Sequence, residues 1–523
     1  MLIIGVVFMT VACNRHKAKP SSNVVIRDTT ISTRNAYSNL FLDSLKVRDL
    51  VKEDDDSIQE QVINFYNSRN YEFAWFDKDG LTLAAEGFWA RHNNYLALQS
   101  DSSLFDKRLH DTIDRLIDSD SSFQLPPEEL FQTEILLTKH FFTYAQSVYG
   151  ARANPEELQW HIPKRKLNVG AMLDSLVSQN SASWQPLNPM FQRLQGSIFK
   201  YREIERKGGW LLLEIPRKAI KKNSSNIIIK DIKRRLASEG NYDNADTTIL
   251  FTDSLVKAVK RVQSLYGLKE TGEIDSRLVK ALNVPVHERI RQMLVNLERI
   301  KWMPREPADY ILINIPEYRF RLIENGKVAL AMDIVVGKAA NKTVIFSNEL
   351  KYIVFSPYWN IPRSIIRNEI VPAMRKNPDY LKRNNMEITG NEGGLPVVRQ
   401  KPGRNNALGR VKFLFPNSYN IYFHDTPAKS LFDLNDRAFS HGCIRLQDPF
   451  ALVSYLLRND SAWTDSKIKK AMNLKTEKWV TLRKTWPVFI AYFTSWTDKD
   501  NNVHFLDDIY GHDQKLKERL FME

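Results

Sequence analysis

Two cysteines occur in the chain, and one of them, Cys443, lies in a setting suited to nucleophilic chemistry. The run is Ser440-His441-Gly442-Cys443-Ile444-Arg445, with His424-Asp425-Thr426-Pro427 upstream. A free thiol titrates near pH 8.5, so reaction near neutrality needs a partner that takes its proton. An imidazole can do so and later return the proton to a leaving amine. His441 lies two residues from the thiol and reaches it poorly if the chain turns at Gly442. His424 arrives from another segment and can approach freely. His424 is therefore assigned as the base and His441 as a supporting, electrostatic or orienting group. Gly442 permits a tight turn, so main-chain N–H groups near Gly442 and Cys443 could form an oxyanion hole. Arg445 shares a face with Cys443 if the strand is extended, and could bind a carboxylate or make a structural ion pair. His424, His441 and Cys443 could instead be three zinc ligands, or Cys443 a buried structural thiol. No metal-binding signature accompanies them, and neither metal nor cofactor is expected.

These residues need strands to hold them. From Tyr310 the apolar pattern alternates, predicting strands over Tyr310–Ile315 and Arg319–Ile323 joined by an Asn325-Gly326 turn. Ala329–Val336, Lys351–Phe355, Val411–Phe415 and Asn420–His424 add four more. Asp448-Pro449 reads as the N-cap and first residue of a helix over Phe450–Leu457. An insert of about 359–409 interrupts the strands, helical at Ser364–Lys376 and loop-like after that. From Trp359 to Ser418 there are 11 Lys and Arg against 4 Asp and Glu. Beside the proposed site, that excess suits an anionic substrate as well as a solvated face.

The rest of the 523 residues divides by pattern. Residues 44–224 show helical periodicity with many aromatics and read as a helical scaffold whose aromatics form its core. Over 225–285, Ile232 and Leu236 share a helical face ended by Gly240. Leu255, Ala258, Val259, Val262 and Tyr266 mark a second helix, and Asp275 caps a third over Ser276–Leu282. Residues 286–307 read as a linker helix and 308–523 as the β-rich domain. The expected class is thus multidomain α+β. A hydrophobic fraction of 43% with 11% aromatics excludes a mainly disordered chain. No apolar run after the N-terminus reaches 18 residues, which excludes a multi-span helical membrane protein. Two cysteines cannot make a disulfide framework. The net charge of +14 indicates an anionic partner without naming it.

The first 13 residues are apolar and end at Cys13, too short to span a bilayer but suited to a signal core. They resemble a bacterial lipoprotein signal, which implies lipidation at Cys13, and residues 14–43 read as a flexible tether. An exported, lipid-anchored chain on the periplasmic side of a cell envelope is the expectation, and export disfavours nucleic acid as the partner.

His424 followed by Ser440-His441-Gly442-Cys443-Ile444-Arg445 resembles the catalytic signature of L,D-transpeptidases, the YkuD-type domain. Tyr422-Phe423-His424-Asp425-Thr426-Pro427, Tyr358-Trp359-Asn360-Ile361-Pro362 and Phe505-Leu506-Asp507-Asp508-Ile509-Tyr510-Gly511 resemble its large YcbB-like branch. Residues 258–263 with Tyr266-Gly267-Leu268 and Thr271-Gly272-Glu273-Ile274-Asp275 resemble the three-helix peptidoglycan-binding domain. The resemblance implies a helical scaffold, a glycan-binding module and a catalytic domain with a capping insert. It implies that Cys443 attacks the third residue of a tetrapeptide stem, expels D-alanine and passes the acyl group to another stem in a 3→3 cross-link. His424 is then the base, with the Asp425 carbonyl orienting it. Ser440 and His441 support the motif, while Arg445, Ser440, Tyr422, Trp359 and Asp425 are grouped around the substrate. Stem peptides and glycan strands are the implied partners and carbapenems the implied inhibitors. Val344, where the branch often has proline, touches a loop rather than the chemistry. A carboxypeptidase using water as acceptor and a non-catalytic envelope protein that only holds peptidoglycan are the alternatives.

Overall fold

The computed structural model describes residues 25–99, 104–118, 125–179, 188–243, 245–304 and 307–521. Cys13 and the signal-like segment lie outside them. The described chain forms two compact units, one of residues 25–148 with 168–179, the other of residues 149–167 with 188–521.

The first unit is helical, with helices Ser44–Val51, Asp56–Ser68, Leu83–Gln99, Lys107–Asp118, most of Pro127–Tyr149, and Val169–Gln179. Its starts follow local chemistry. Asp55 accepts hydrogen bonds from the Ser57 and Ile58 N–H groups, and Glu128 and Glu129 meet the positive end of the helix that Pro127 begins. Trp75, Phe88, Trp89, Phe141 and Phe142 are buried as expected. One polar knot lies among them. Glu134 accepts hydrogen bonds from the Tyr66 hydroxyl and the Ala74 and Trp75 N–H groups. The stretch read as a flexible tether is pinned along its described part. Asp28 N–H donates to the Asn67 carbonyl, Ser38 N–H to the buried Glu72, and Phe41 bridges Glu72. Its Asn, Asp and Ser side chains look like solvated linker, but here they are hydrogen-bonding groups.

In the second unit the three-helix module spans Ile227–Ser238, Asp253–Leu265 and Ser276–Leu282, with Asp275 accepting from the Leu278 N–H. Helix Val286–Trp302 follows and is buried over most of its surface. Several of its polar residues reach partners outside the helix: Gln292 donates to the Thr494 and Leu506 carbonyls, and Arg299 pairs with Asp513 at 2.6 Å.

The catalytic-type domain is a curled sheet. Its strands are β1 (Tyr310–Asn314), β2 (Arg319–Glu324), β3 (Lys327–Gly337) and β4 (Ile345–Phe355). After β5 (Trp359–Asn360), β6 (Met386–Glu392) and β7 (Leu395–Gln400) come β8 (Val411–Leu414), β9 (Phe423–His424), β10 (Ala438–Ser440), β11 (Ile444–Leu446) and β12 (Lys478–Ala491). The order β8-β9-β11-β3-β2-β1-β12-β4 closes because β4 also pairs with β8. Closure leaves no edge among these eight. Val411, Phe413, Phe423, Ile444 and Leu446 are buried, while Lys412, Tyr422, Cys443 and Arg445 alternate with them and are part-exposed. Alternation therefore places the chemistry on one face and the packing on the other.

The insert departs from expectation after its helical part. Residues 386–400 are not a loop but the β6–β7 hairpin, turned at Gly393 and Gly394, whose φ values are +55° and +75°. Two successive positive φ values suit a two-glycine hairpin turn, and β5 completes a three-stranded sheet. Ile361, Ile365, Ile366, Ile370 and Val398 give the insert its own small core. No described helix is long and apolar enough to cross a membrane.

Candidate active site

β9 and β11 run parallel, with Phe423 opposite Ile444 and His424 opposite Arg445. The Ile444 N–H donates to the Tyr422 carbonyl, which carries the register back to Cys443. Tyr422, His424, Cys443 and Arg445 consequently occupy four corners of one patch.

His424 is 4% exposed. Its Nδ1 lies 2.5 Å from the Asp425 carbonyl oxygen, which can only accept, so Nδ1 carries the proton and Nε2 is the basic nitrogen. Burial, reinforced by the Arg445 charge, brings the His424 pKa down to about 3. The imidazole is neutral at any ordinary pH. Cys443 is part-exposed, with its Sγ 3.6 Å from the Asn420 carbonyl oxygen. Desolvation pushes its thiol above the usual range, while the Tyr422 N–H and hydroxyl and the Arg445 charge pull the other way. The resting pair is thus neutral thiol with neutral imidazole. Tyr422 is raised by desolvation and then by the sulfur.

The turn before the sulfur is self-supporting. Ser440 Oγ donates to the Cys443 carbonyl at 2.6 Å and accepts from the Gly442 N–H at 3.0 Å. Gly442 has φ +117°, a conformation that disfavours any side chain. Two expectations change. The Gly442 N–H is committed to Ser440, so only the Cys443 N–H of the two expected oxyanion donors stays in play. Ser440 is buried, with its hydroxyl used by the turn, and so holds the loop rather than touching substrate. The Asp425 carboxylate is likewise occupied, pairing with Lys429 at 2.9 Å and accepting from the Arg410 N–H. Its carbonyl is what meets His424.

A residue overlooked in the sequence braces this loop. Thr343 Oγ1 donates to the Gly442 carbonyl and accepts from the Gly337 N–H, both at 2.9 Å. Tyr510 supports the same corner, donating to the Gly337 carbonyl and accepting from the Thr343 N–H. The segment beside Val344 therefore reaches the catalytic turn. Because the peptide is trans, holding the Gly442 carbonyl aims the Cys443 N–H the opposite way.

His441 is exposed, with Nε2 3.7 Å from Glu369 Oε1 of the insert. Trp359 packs against the insert's apolar cluster. His424, buried, and His441, directed toward the insert, do not converge with Cys443 as ligands, and no described group of three or more His, Cys, Asp or Glu is arranged to hold a metal. Arg445 Nε is buried with no hydrogen-bond partner, an unspent donor beside the thiol.

Comparison with known proteins agrees with this arrangement. Residues 308–472 match the model of the YkuD L,D-transpeptidase catalytic domain, residues 60–197 a scaffold domain, and residues 227–282 a "Putative peptidoglycan binding domain". A Haemophilus influenzae protein described as "Putative L,D-transpeptidase" is 31% identical over 242 residues, 43% of this chain and 49% of that one. The chain thus spans about half the length of this curated relative. A crystal structure of an L,D-transpeptidase from Xylanimonas cellulosilytica is 14% identical, covering 53% of this chain and 100% of that one with a TM-score of 0.18. The catalytic domain of an L,D-transpeptidase from Enterococcus faecium acylated by ertapenem is 16% identical over 36% of this chain and 100% of that one, with a TM-score of 0.16. Superpositions this loose carry no weight of their own; the family models do. This chain carries an L,D-transpeptidase catalytic domain of the YkuD type, joined to a scaffold domain and a peptidoglycan-binding domain.

Proposed function

We propose that the protein cross-links peptidoglycan by L,D-transpeptidation through a thioester on Cys443. The observation that carries this reading is the patch of Tyr422, His424, Cys443 and Arg445 on one face, with His424 held in the tautomer that accepts a proton at Nε2. The sulfur attacks the carbonyl carbon of the third residue of a tetrapeptide stem while its proton passes to Nε2. The Cys443 N–H and the Arg445 charge offset the negative charge that develops nearby. The C–N bond then breaks, Nε2 returns the proton to the departing amine, and D-alanine leaves behind a thioester. The side-chain amine of a second stem attacks that thioester and gives a proton to Nε2, the C–S bond breaks as the 3→3 link forms, and Nε2 passes the proton to the departing sulfur, restoring thiol and neutral imidazole.

A thiol and an imidazole that both rest neutral suit this cycle, because Nε2 is free to accept at the moment of attack. The basic insert suits a carboxylate-bearing polymer. The approach of Glu369 of the insert to His441 supports a capping role for residues 359–409, which would keep water from the thioester. The same electrophile-seeking sulfur accounts for acylation by carbapenems. The reading places the chain in the cell envelope, anchored at Cys13 if that residue is acylated. Incubation of sacculi with the enzyme, followed by mass spectrometry of muropeptides, should give tetrapeptide dimers joined 3→3, absent with Cys443→Ala. Shortened monomers without dimers would identify a carboxypeptidase instead.

A further inference from the structure

Beyond the thiol and its base, the sheet sets up a second feature on the same face. Cα partners run in one continuous row across five strands: Trp479 opposite Val354, Val354 opposite Lys412, Lys412 opposite His424, His424 opposite Arg445. Side chains in such a row project to the same face. The base is therefore flanked by two cations, Arg445 on the sulfur's strand and Lys412 on the strand beyond. The Lys412 ammonium leans over the Trp479 ring, 5.7 Å from its centroid. No described carboxylate forms an ion pair with Lys412. Glu477, the carboxylate whose charge acts on it, is engaged by the Trp479 indole N–H at 3.0 Å and the Tyr358 N–H at 3.4 Å. Trp479 itself is 52% exposed, with its edge set by that bond and its ring against Tyr352. Glu477 thus acts on Lys412 only from a distance, and the half-buried ammonium makes no described hydrogen bond or ion pair, so beside the open indole it can still take an anion of its own.

The order along the face decides which anion. Acyl transfer occurs at Cys443, and the departing amine must meet His424 to receive its proton. The α-carboxyl carbon of an amino acid lies about 2.5 Å from its own nitrogen. Neighbouring strands are about 4.8 Å apart, so the group just past the base falls within reach of a lysine on the next strand. Arg445 lies on the sulfur's strand and Lys412 on the opposite side of His424, where a group leaving past the base would come. We infer that Lys412, with the Trp479 ring as its platform, forms the subsite for the terminal α-carboxylate of the departing D-amino acid. The inference rests on the transpeptidase reading and extends it. It makes the enzyme select donors whose fourth residue is the chain end, because an internal residue presents a neutral amide there.

The test compares two donor stems in the full-length protein, one ending in D-alanine and one ending in its carboxamide, by the rate of release of the last residue. Loss of a charge-assisted contact should raise KM of Lys412→Gln about tenfold or more for the free acid, leave the carboxamide unchanged, and be largely reversed in Lys412→Arg. Equal effects on both donors, or a fall in kcat with KM intact, would overturn the subsite while leaving the transpeptidase reading in place. If wild type releases nothing from either donor, that reading fails separately. The subsite is then decided by binding of the free-acid stem to Cys443→Ala, which should weaken about tenfold when Lys412→Gln is added, and is refuted if it does not.

Discussion

Proton placement around Cys443 has a direct kinetic consequence. An unperturbed histidine takes up a proton near pH 6.5 and would cut the rate of a His-dependent acylation below that point. His424 is buried and held by a carbonyl, with a pKa of about 3, so it remains a competent base well into acid. The kcat/KM profile for D-alanine release should accordingly show no limb near pH 6.5, and should stay flat from pH 8 down to about 5. A midpoint between 6 and 7 would mean that the imidazole is solvated and that another group orients the thiol. The raised thiol acts at the other end, since desolvation of the sulfur disfavours thiolate below its ordinary range. Residue types near Cys443 were readable in the sequence because thiol, imidazole and glycine have few other uses in so short a run. Lys412 was not, because nothing in a linear chain shows that residues 412, 424 and 445 stand in one row.

At the scale of elements, the catalytic turn depends on a segment a hundred residues earlier. Thr343 joins the Gly337 N–H to the Gly442 carbonyl, and a Cβ added at Gly337 would lie 2.0 Å from the Asn341 carbonyl oxygen. Thr343→Val leaves both main-chain groups unpaired, at about 1–3 kcal/mol each. It should lower kcat about tenfold, with KM little changed and Thr343→Ser recovering most of the loss, as read by steady-state kinetics. Unchanged kcat would show that the turn holds itself through Ser440. The insert makes a second prediction. Removing it should raise hydrolysis relative to cross-linking in the muropeptide products, and constant product ratios would deny it a shielding role. Local chemistry made several elements legible: Asp275 and Asp448 as caps and Asn325-Gly326 as a turn are all where the sequence places them. The β6–β7 hairpin was not, since its outer residues 389–394 are exposed, polar or glycine, and follow no alternating pattern. Only the Gly393-Gly394 pair signals it.

The molecule as a whole carries several buried neutral histidines. His424 is lowered to about 3, and desolvation brings His140 and His512 each to about 4, with His92 lowered as well. His92 and His140 meet through their Nε2 atoms at 2.8 Å inside the helical unit. In each case the folded pKa is depressed, so the unfolded chain binds the proton first as pH falls below about 6.5. Their contribution to stability is complete above that pH and declines steadily toward pH 4. Thermal unfolding should therefore shift to lower temperature between pH 7 and 4.5, less so in His140→Leu, which cannot take up the proton. An unaltered midpoint over that range would show that these rings are hydrated. The helical character of residues 44–224 was visible from their periodicity, whereas this polar interior was not, because the partners come from separate helices.

The central claim is that an acyl group rests on Cys443 during turnover. Intact-mass measurement of the full-length protein, quenched in acid seconds after mixing with a disaccharide-tetrapeptide, tests it most directly. Wild type should gain the mass of the stem less its terminal D-alanine, mapped by digestion to the peptide containing Cys443, and Cys443→Ala should gain nothing. D-alanine release from wild type with no adduct at any quench time, or equal release from Cys443→Ala, would contradict the account.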